Sequence, residues 1–158
     1  MIHIDIDVDA GDWPPASDLE ELMRSAVNAT LGEVPIALPE NGEVSVRFSN
    51  DAHVQQLNST WRSIDRPTNV LSFAANDGVA PQHWSPLLGD IVFAFETIDR
   101  EARDQAKEFM AHLTHLAVHG FLHLLGYDHQ NDNDAQSMEM LEIRILRELH
   151  IADPYDER

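Results

Sequence analysis

Cysteine is absent from this chain of 158 residues, which excludes a disulfide framework, a thiolate metal site and a cysteine nucleophile. Any metal ligands must come from the 9 histidines and 28 carboxylates. Lysine is nearly missing too: of 10 basic residues only Lys107 is not arginine. Arginine grips phosphate through a planar fork rather than as a mobile point charge, so a local phosphate site survives the shortage of positive charge. No stretch approaches the roughly 18 consecutive apolar residues that suggest a bilayer span. The opening Met1-Ile2-His3-Ile4-Asp5 lacks the basic and apolar segments of a secretory signal. A cytoplasmic protein is therefore the expectation. The formal net charge of -18 repels anionic lipids and generic phosphate backbones, so neither a membrane nor DNA is an expected partner.

What is present suits a single domain over residues 1–158, built on one core. Ile2, Ile4, Ile6 and Val8 alternate with polar residues, the period of a strand with one buried face. After Pro14 and Pro15, Ser17 is placed to cap a helix that Gly32 would end. A second alternating strand follows around Val44, Val46 and Phe48, then a short helix capped by Asn50 or Asp51 and running towards Trp61. Residues 70–73 and 91–95 are apolar, β-branched and aromatic, and read as the third and fourth strands. The intervening residues 75–88 form a loop near the length limit for a compact domain, of the kind that lines a site or moves. Helical periodicity then predicts helices over about 97–107, 108–125 and 134–149. The expected class is α+β: a small four-stranded mixed sheet packed with about five helices, in a strand order the sequence does not specify.

Residues 119–129 read HGFLHLLGYDH. Residues four apart on a helix share one face, so His119 and His123 can converge on one ion. Gly126 suits the left-handed residue that ends a helix, allowing the chain to bring back His129. Three neutral imidazoles leave a fourth tetrahedral position open, the pattern of catalytic rather than structural zinc. We therefore expect one Zn2+ ion on His119, His123 and His129, at the end of a central helix. His112 and His115 extend the stripe and are expected to pack or to support the ligands; His3, His53, His83 and His150 stand alone. The spacing also matches the long zincin motif of metalloproteases, whose base is a Glu directly after the first His. That position is Gly120, which holds no proton, so peptide cleavage of that kind lacks its base.

With residues 58–73 (NSTWRSIDRPTNVLSF), 88–91 (LGDI) and 153–155 (DPY), the histidine segment resembles the YbeY family of endoribonucleases, or rRNA maturation factors. The resemblance covers about residues 43–155. It implies a three-histidine zinc site and a zinc-dependent, single-strand-specific endoribonuclease. The implied work is small-subunit ribosomal RNA maturation and ribosome quality control, with ribosomal RNA, the small subunit and its proteins as partners. Carried onto this sequence, His119, His123 and His129 are the metal ligands, and Arg62 and His119 the catalytic residues. Trp61 stands where the family more often has Tyr, and Ala74 where Pro commonly follows; neither is a ligand. Thr68, Asn69 and Ser72 are candidate donors to phosphate or sugar, Arg66 and Arg47 candidate extensions of a cationic path. Asp128 is equally a ligand-orienting group or a turn residue. The acidity leads us to expect negative charge on faces away from the site, or a protein that delivers the RNA. Two other classes compete: a metal-dependent hydrolase of a peptide or small molecule, and a non-enzymatic ribosome-assembly factor with a structural metal.

Overall fold

Alternation decides the first two strands. In β1 (His3–Val8) the side chains of Ile4 and Ile6 pack against the core while His3 and Asp7 face water, and β2 (Glu43–Ser49) buries Val44, Val46 and Phe48 in the same way. The two pair in parallel, Ile4 opposite Val44 and Ile6 opposite Val46. Between them runs α1 (Ala16–Glu33), whose Leu19, Leu22, Met23, Ala26 and Val27 form one buried stripe. The computed structural model describes residues 1–128 and 130–156.

Next come α2 (Asp51–Arg62), β3 (Val70–Ala74) and β4 (Leu87–Ala94). The strand order is β1-β2-β4-β3, with β4 parallel to β2 and β3 antiparallel to β4 at one edge. Sequence reading left this order open, and it gives the mixed four-stranded sheet expected. Strand β4 begins at Leu87, inside the predicted 75–88 loop and four residues before the predicted 91–95 strand, and only its Ile91–Ala94 part reads as a continuous apolar run, because both faces are covered there. Ile91 and Phe93 join the main core, whereas Val92 and Ala94 meet Val54 of α2 and Leu71 of β3 in a smaller cluster behind the sheet.

The connection from β3 to β4 holds a 3₁₀ turn (Pro81–His83) and is tied down from within. Buried Asn76 donates Nδ2 to the carbonyls of Ser85 (3.3 Å) and Leu87 (3.0 Å), and its Oδ1 accepts from the Ser85 amide at 2.9 Å. One asparagine thus satisfies the backbone groups that a long loop leaves without ladder partners.

Three helices complete the chain: α3 (Phe95–Asp104), α4 (Phe109–Leu124) and α5 (Asp132–Glu148). Helix α4 packs against α1, α3, α5, β3 and β4 and is buried on most sides, which is why its sequence is apolar apart from one stripe of histidines. Helix boundaries differ from expectation at several points: α3 ends at Asp104 rather than about Lys107, and α5 starts at Asp132, capped by Asn131, rather than at about Asp134. Helix α1 starts at Ala16, behind Pro15 rather than on a Ser17 cap, and runs through Gly32 to Glu33. Proline presets the entry angle, and burial of Thr30 and Val34 outweighs the roughly 1 kcal/mol cost of a helical glycine. Helix α3 begins two residues earlier than predicted, directly at the end of β4. Among the described residues no helix is long and apolar enough to cross a membrane.

Candidate functional site

Helix α4 carries His112, His115, His119 and His123 at spacings of three and four, so their rings form one stripe. Nε2 of His119 lies 3.0 Å from Nε2 of His123, with the ring centroids 4.5 Å apart and the planes at 81°. Both rings are half-buried. Beyond them the helix closes as the sequence predicts: Gly126 takes φ 100°, its amide donates to the His123 carbonyl at 3.1 Å, and the Tyr127 amide reaches the Leu122 carbonyl at 3.1 Å. The chain therefore turns back at the level of His123. The third expected ligand, His129, lies outside the described residues. Among the described residues no group of three or more His, Asp or Glu side chains is placed to hold a metal ion.

One neighbour was not singled out by sequence reading. Glu142, on α5, is 1% exposed and reaches across to the histidine stripe. Its Oε1 accepts from His115 Nε2 at 2.7 Å and from the Tyr155 hydroxyl at 3.0 Å, and its Oε2 lies 3.3 Å from His119 Nδ1. The signal was legible in principle: Glu142 falls at helical spacing among Met138, Leu141, Ile145 and Leu146, an anionic side chain inside an otherwise apolar face. A parallel pair lies one turn of α4 earlier, where buried His112 Nε2 meets Glu101 Oε1 at 2.9 Å and Asn69 Nδ2 donates to the same oxygen at 3.0 Å.

Burial alone would raise the carboxyl pKa of Glu142, but hydrogen bonds from His115 and His119 and the charge of those rings outweigh it and hold it down at about 2. Glu101 is lowered against the same desolvation, by His112 and Asn69. The linkage has a definite sign. A depressed native pKa stabilises the fold above the unfolded value near 4.5, and that stability drains away as pH falls towards 2. For Glu142 the difference is about 3 kcal/mol. Urea midpoints of the wild type should therefore fall through this window, and those of Glu142→Gln should fall distinctly less; parallel curves would refute the assignment.

Arg62, in the last turn of α2, is exposed and turned onto β3. It donates Nη2 to the Ser72 carbonyl at 2.6 Å, and its guanidinium carbon sits 5.1 Å from the Phe73 ring centroid. Ser72 in turn donates Oγ to the Gly120 carbonyl at 3.0 Å, next to His119. Two hydrogen bonds through one serine thus tie the arginine to the histidine helix. Gly120 itself faces the sheet: a Cβ there would lie 3.1 Å from Ser72 Oγ and 3.2 Å from Ile91 Cγ2. A Glu in that position would push α4 off β3 before it could serve as a base.

The remaining candidates divide. Asn69 is engaged with Glu101, and Arg47 directs its charge to Asp7 and Asp9 at 3.7 and 3.6 Å, on the β1 side of the sheet. Arg66 is exposed, with its carbonyl held by Asn58 Nδ2 at 2.9 Å. Thr68 is half-buried in the turn before β3, and Asp128 is exposed. His53 binds Ser49 Oγ at 2.9 Å, while His3, His83 and His150 are exposed; none of these four joins the stripe.

Residues 6–150 match the family model described as Endoribonuclease YbeY. A Rhizobium meliloti protein of that name is 46% identical over 162 residues, covering 99% of this chain and 96% of that protein. One from Bradyrhizobium diazoefficiens is 49% identical over 153 residues, covering 92% and 81%. The solution structure of a Thermotoga maritima protein shares the fold, with a TM-score of 0.56 at 23% identity over 95% of this chain and 92% of that one.

Proposed function

The chain belongs to the endoribonuclease YbeY family, and on that premise we propose that it cuts single-stranded RNA using one zinc ion held by His119, His123 and His129. The observation that carries this reading is the convergence of two imidazole Nε2 atoms at 3.0 Å. Two nitrogens bound at zinc's usual 2.0–2.1 Å in a tetrahedron stand roughly 3.3 Å apart, so the donors fit the ion in kind and spacing. When bound, zinc supplies a Lewis acid beside the scissile phosphate and makes an attacking oxygen easier to deprotonate. Such chemistry needs no carboxylate after the first histidine, which agrees with Gly120.

The chain's own residues do the rest. The Arg62 fork has five N–H donors and uses one on Ser72, leaving others for the charge that grows on the phosphate oxygens. Trp61, 69% exposed beside it, offers a flat face on which an unpaired base can stack. The acidity is partly set aside: Asp5, Asp7 and Asp9 lie on or just after β1, at the opposite sheet edge from β3, against which Arg62 and α4 pack. In this reading residues 1–158 act as one domain in the cytoplasm, on ribosomal RNA of the small subunit.

A labelled single-stranded RNA tests the proposal. Zinc-loaded protein should cleave it, a chelator should stop cleavage, added zinc should restore it, and duplex RNA should be spared. Cleavage that persists at equal rate in His119→Ala, or that ignores chelation, defeats the reading.

A further inference from the structure

Burying a carboxylate costs several kcal/mol unless its partners compensate, and an apolar residue of similar size is often no worse for stability. Glu142 is nevertheless placed on the core-facing side of α5, and its two oxygens are used differently. Oε1 is held by His115 Nε2 and the Tyr155 hydroxyl, whereas Oε2 faces His119 Nδ1 at 3.3 Å. Tyr155 is itself fixed, since its amide donates to Asp153 Oδ1 at 2.7 Å and Lys107 Nζ donates to the Pro154 carbonyl at 3.1 Å. The closing Asp153-Pro154-Tyr155 segment, which has no part in the chemistry above, therefore serves as a strap across this carboxylate.

We propose that Glu142 is a positioning residue for the zinc site: it accepts the Nδ1 hydrogen of His119 and so fixes that ring with the Nε2 lone pair turned towards His123, while His115 and Tyr155 hold the carboxylate still. This deepens the zinc reading and rests on it. A carboxylate only accepts hydrogen bonds, so the ring nitrogen facing it carries the hydrogen. A neutral imidazole has one such hydrogen, which leaves Nε2 unprotonated at the atom that lies 3.0 Å from His123 Nε2. Carboxylate partners of this kind orient ligand histidines and raise their basicity.

Long-range 1H–15N spectra of metal-free protein at about pH 8 distinguish the two neutral tautomers from the doubly protonated ring and read the tautomer directly. Wild-type His119 should carry its hydrogen on Nδ1; finding it on Nε2 overturns the proposal whatever the variants do. In Glu142→Leu the Nδ1–H form should lose its dominance, and the zinc Kd, measured by competition with a chromogenic chelator, should rise about 10- to 100-fold. Glu142→Gln keeps an accepting oxygen and should lie between Leu and wild type. A purely structural Glu142 would leave tautomer and zinc Kd unmoved in both variants, which sinks the positioning role while the ligand assignment stands. Equal zinc affinity in wild type and His119→Ala instead removes the ligand assignment, and this proposal with it. If Glu142→Leu fails to fold, the wild-type spectrum and the Glu142→Gln titration decide.

Discussion

Arg62→Ala is expected to lower kcat on single-stranded RNA by about 10²- to 10³-fold, the loss that follows removal of one preorganised donor from a developing anion. Its effect on stability should be small. The side chain is exposed and gives up one hydrogen bond to the Ser72 carbonyl and its contact with the Phe73 ring, together about 1 to 2 kcal/mol. The effect on turnover should exceed the effect on binding because the phosphate gains charge on the way to the transition state, and the fork matters most there. Arg62→Lys keeps the charge but loses the planar pair of donors, so it should recover only part of the rate. Steady-state kinetics beside thermal melts check this. Wild-type turnover in Arg62→Ala removes the arginine from the mechanism; a kcat loss that merely tracks a large drop in Tm reduces it to a structural contact.

The parts of the fold legible in the sequence are those with local causes. Ile4 and Ile6 opposite Val44 and Val46 follow from alternation alone, and the α4 stripe from spacings of three and four. Gly126 announced the turn after His123 because few other residues adopt its backbone angles at low cost. What stayed hidden has partners far away in the chain. Helix α3 begins without a capping side chain of its own; Asp51 supplies the cap from the start of α2, accepting from the Thr97 amide at 3.0 Å and hydroxyl at 2.8 Å, while Glu96 Oε1 accepts from the Asp51 amide at 2.8 Å. A reciprocal cap normally spans three residues, so a search along the sequence cannot find one that bridges two helices. Spacing along α5 marks Glu142 as a carboxylate on a buried face, but its partners are histidines of a different helix, and the sheet order too is set only by long-range pairing.

Gly89→Ala should cause the largest loss of stability of any conservative change proposed for this chain, about 2–6 kcal/mol or roughly 5–20 °C in Tm. Gly89 lies in β4 opposite Ala74 of β3, at φ 141°, outside the range side chains favour. A Cβ there would overlap the Phe73 carbonyl oxygen and stand 2.8 Å from Leu124 Cδ2. The first atom is backbone and cannot rotate away, so β3 must separate from β4 or the strand must buckle. Leu124 follows His123 in the last turn of α4, and β3 carries the Ser72 carbonyl that holds Arg62. Zinc affinity and turnover should therefore fall together with stability. Gly32→Ala is the matched control: it adds the same methyl group inside α1, where a Cβ meets nothing within 4 Å, and should stabilise by up to about 1 kcal/mol. Opposite signs for one chemical change would show that backbone approach at the β3–β4 edge, rather than glycine content, limits the fold around the histidine helix. Equal melting of Gly89→Ala and wild type would mean that the two strands are not held at this spacing.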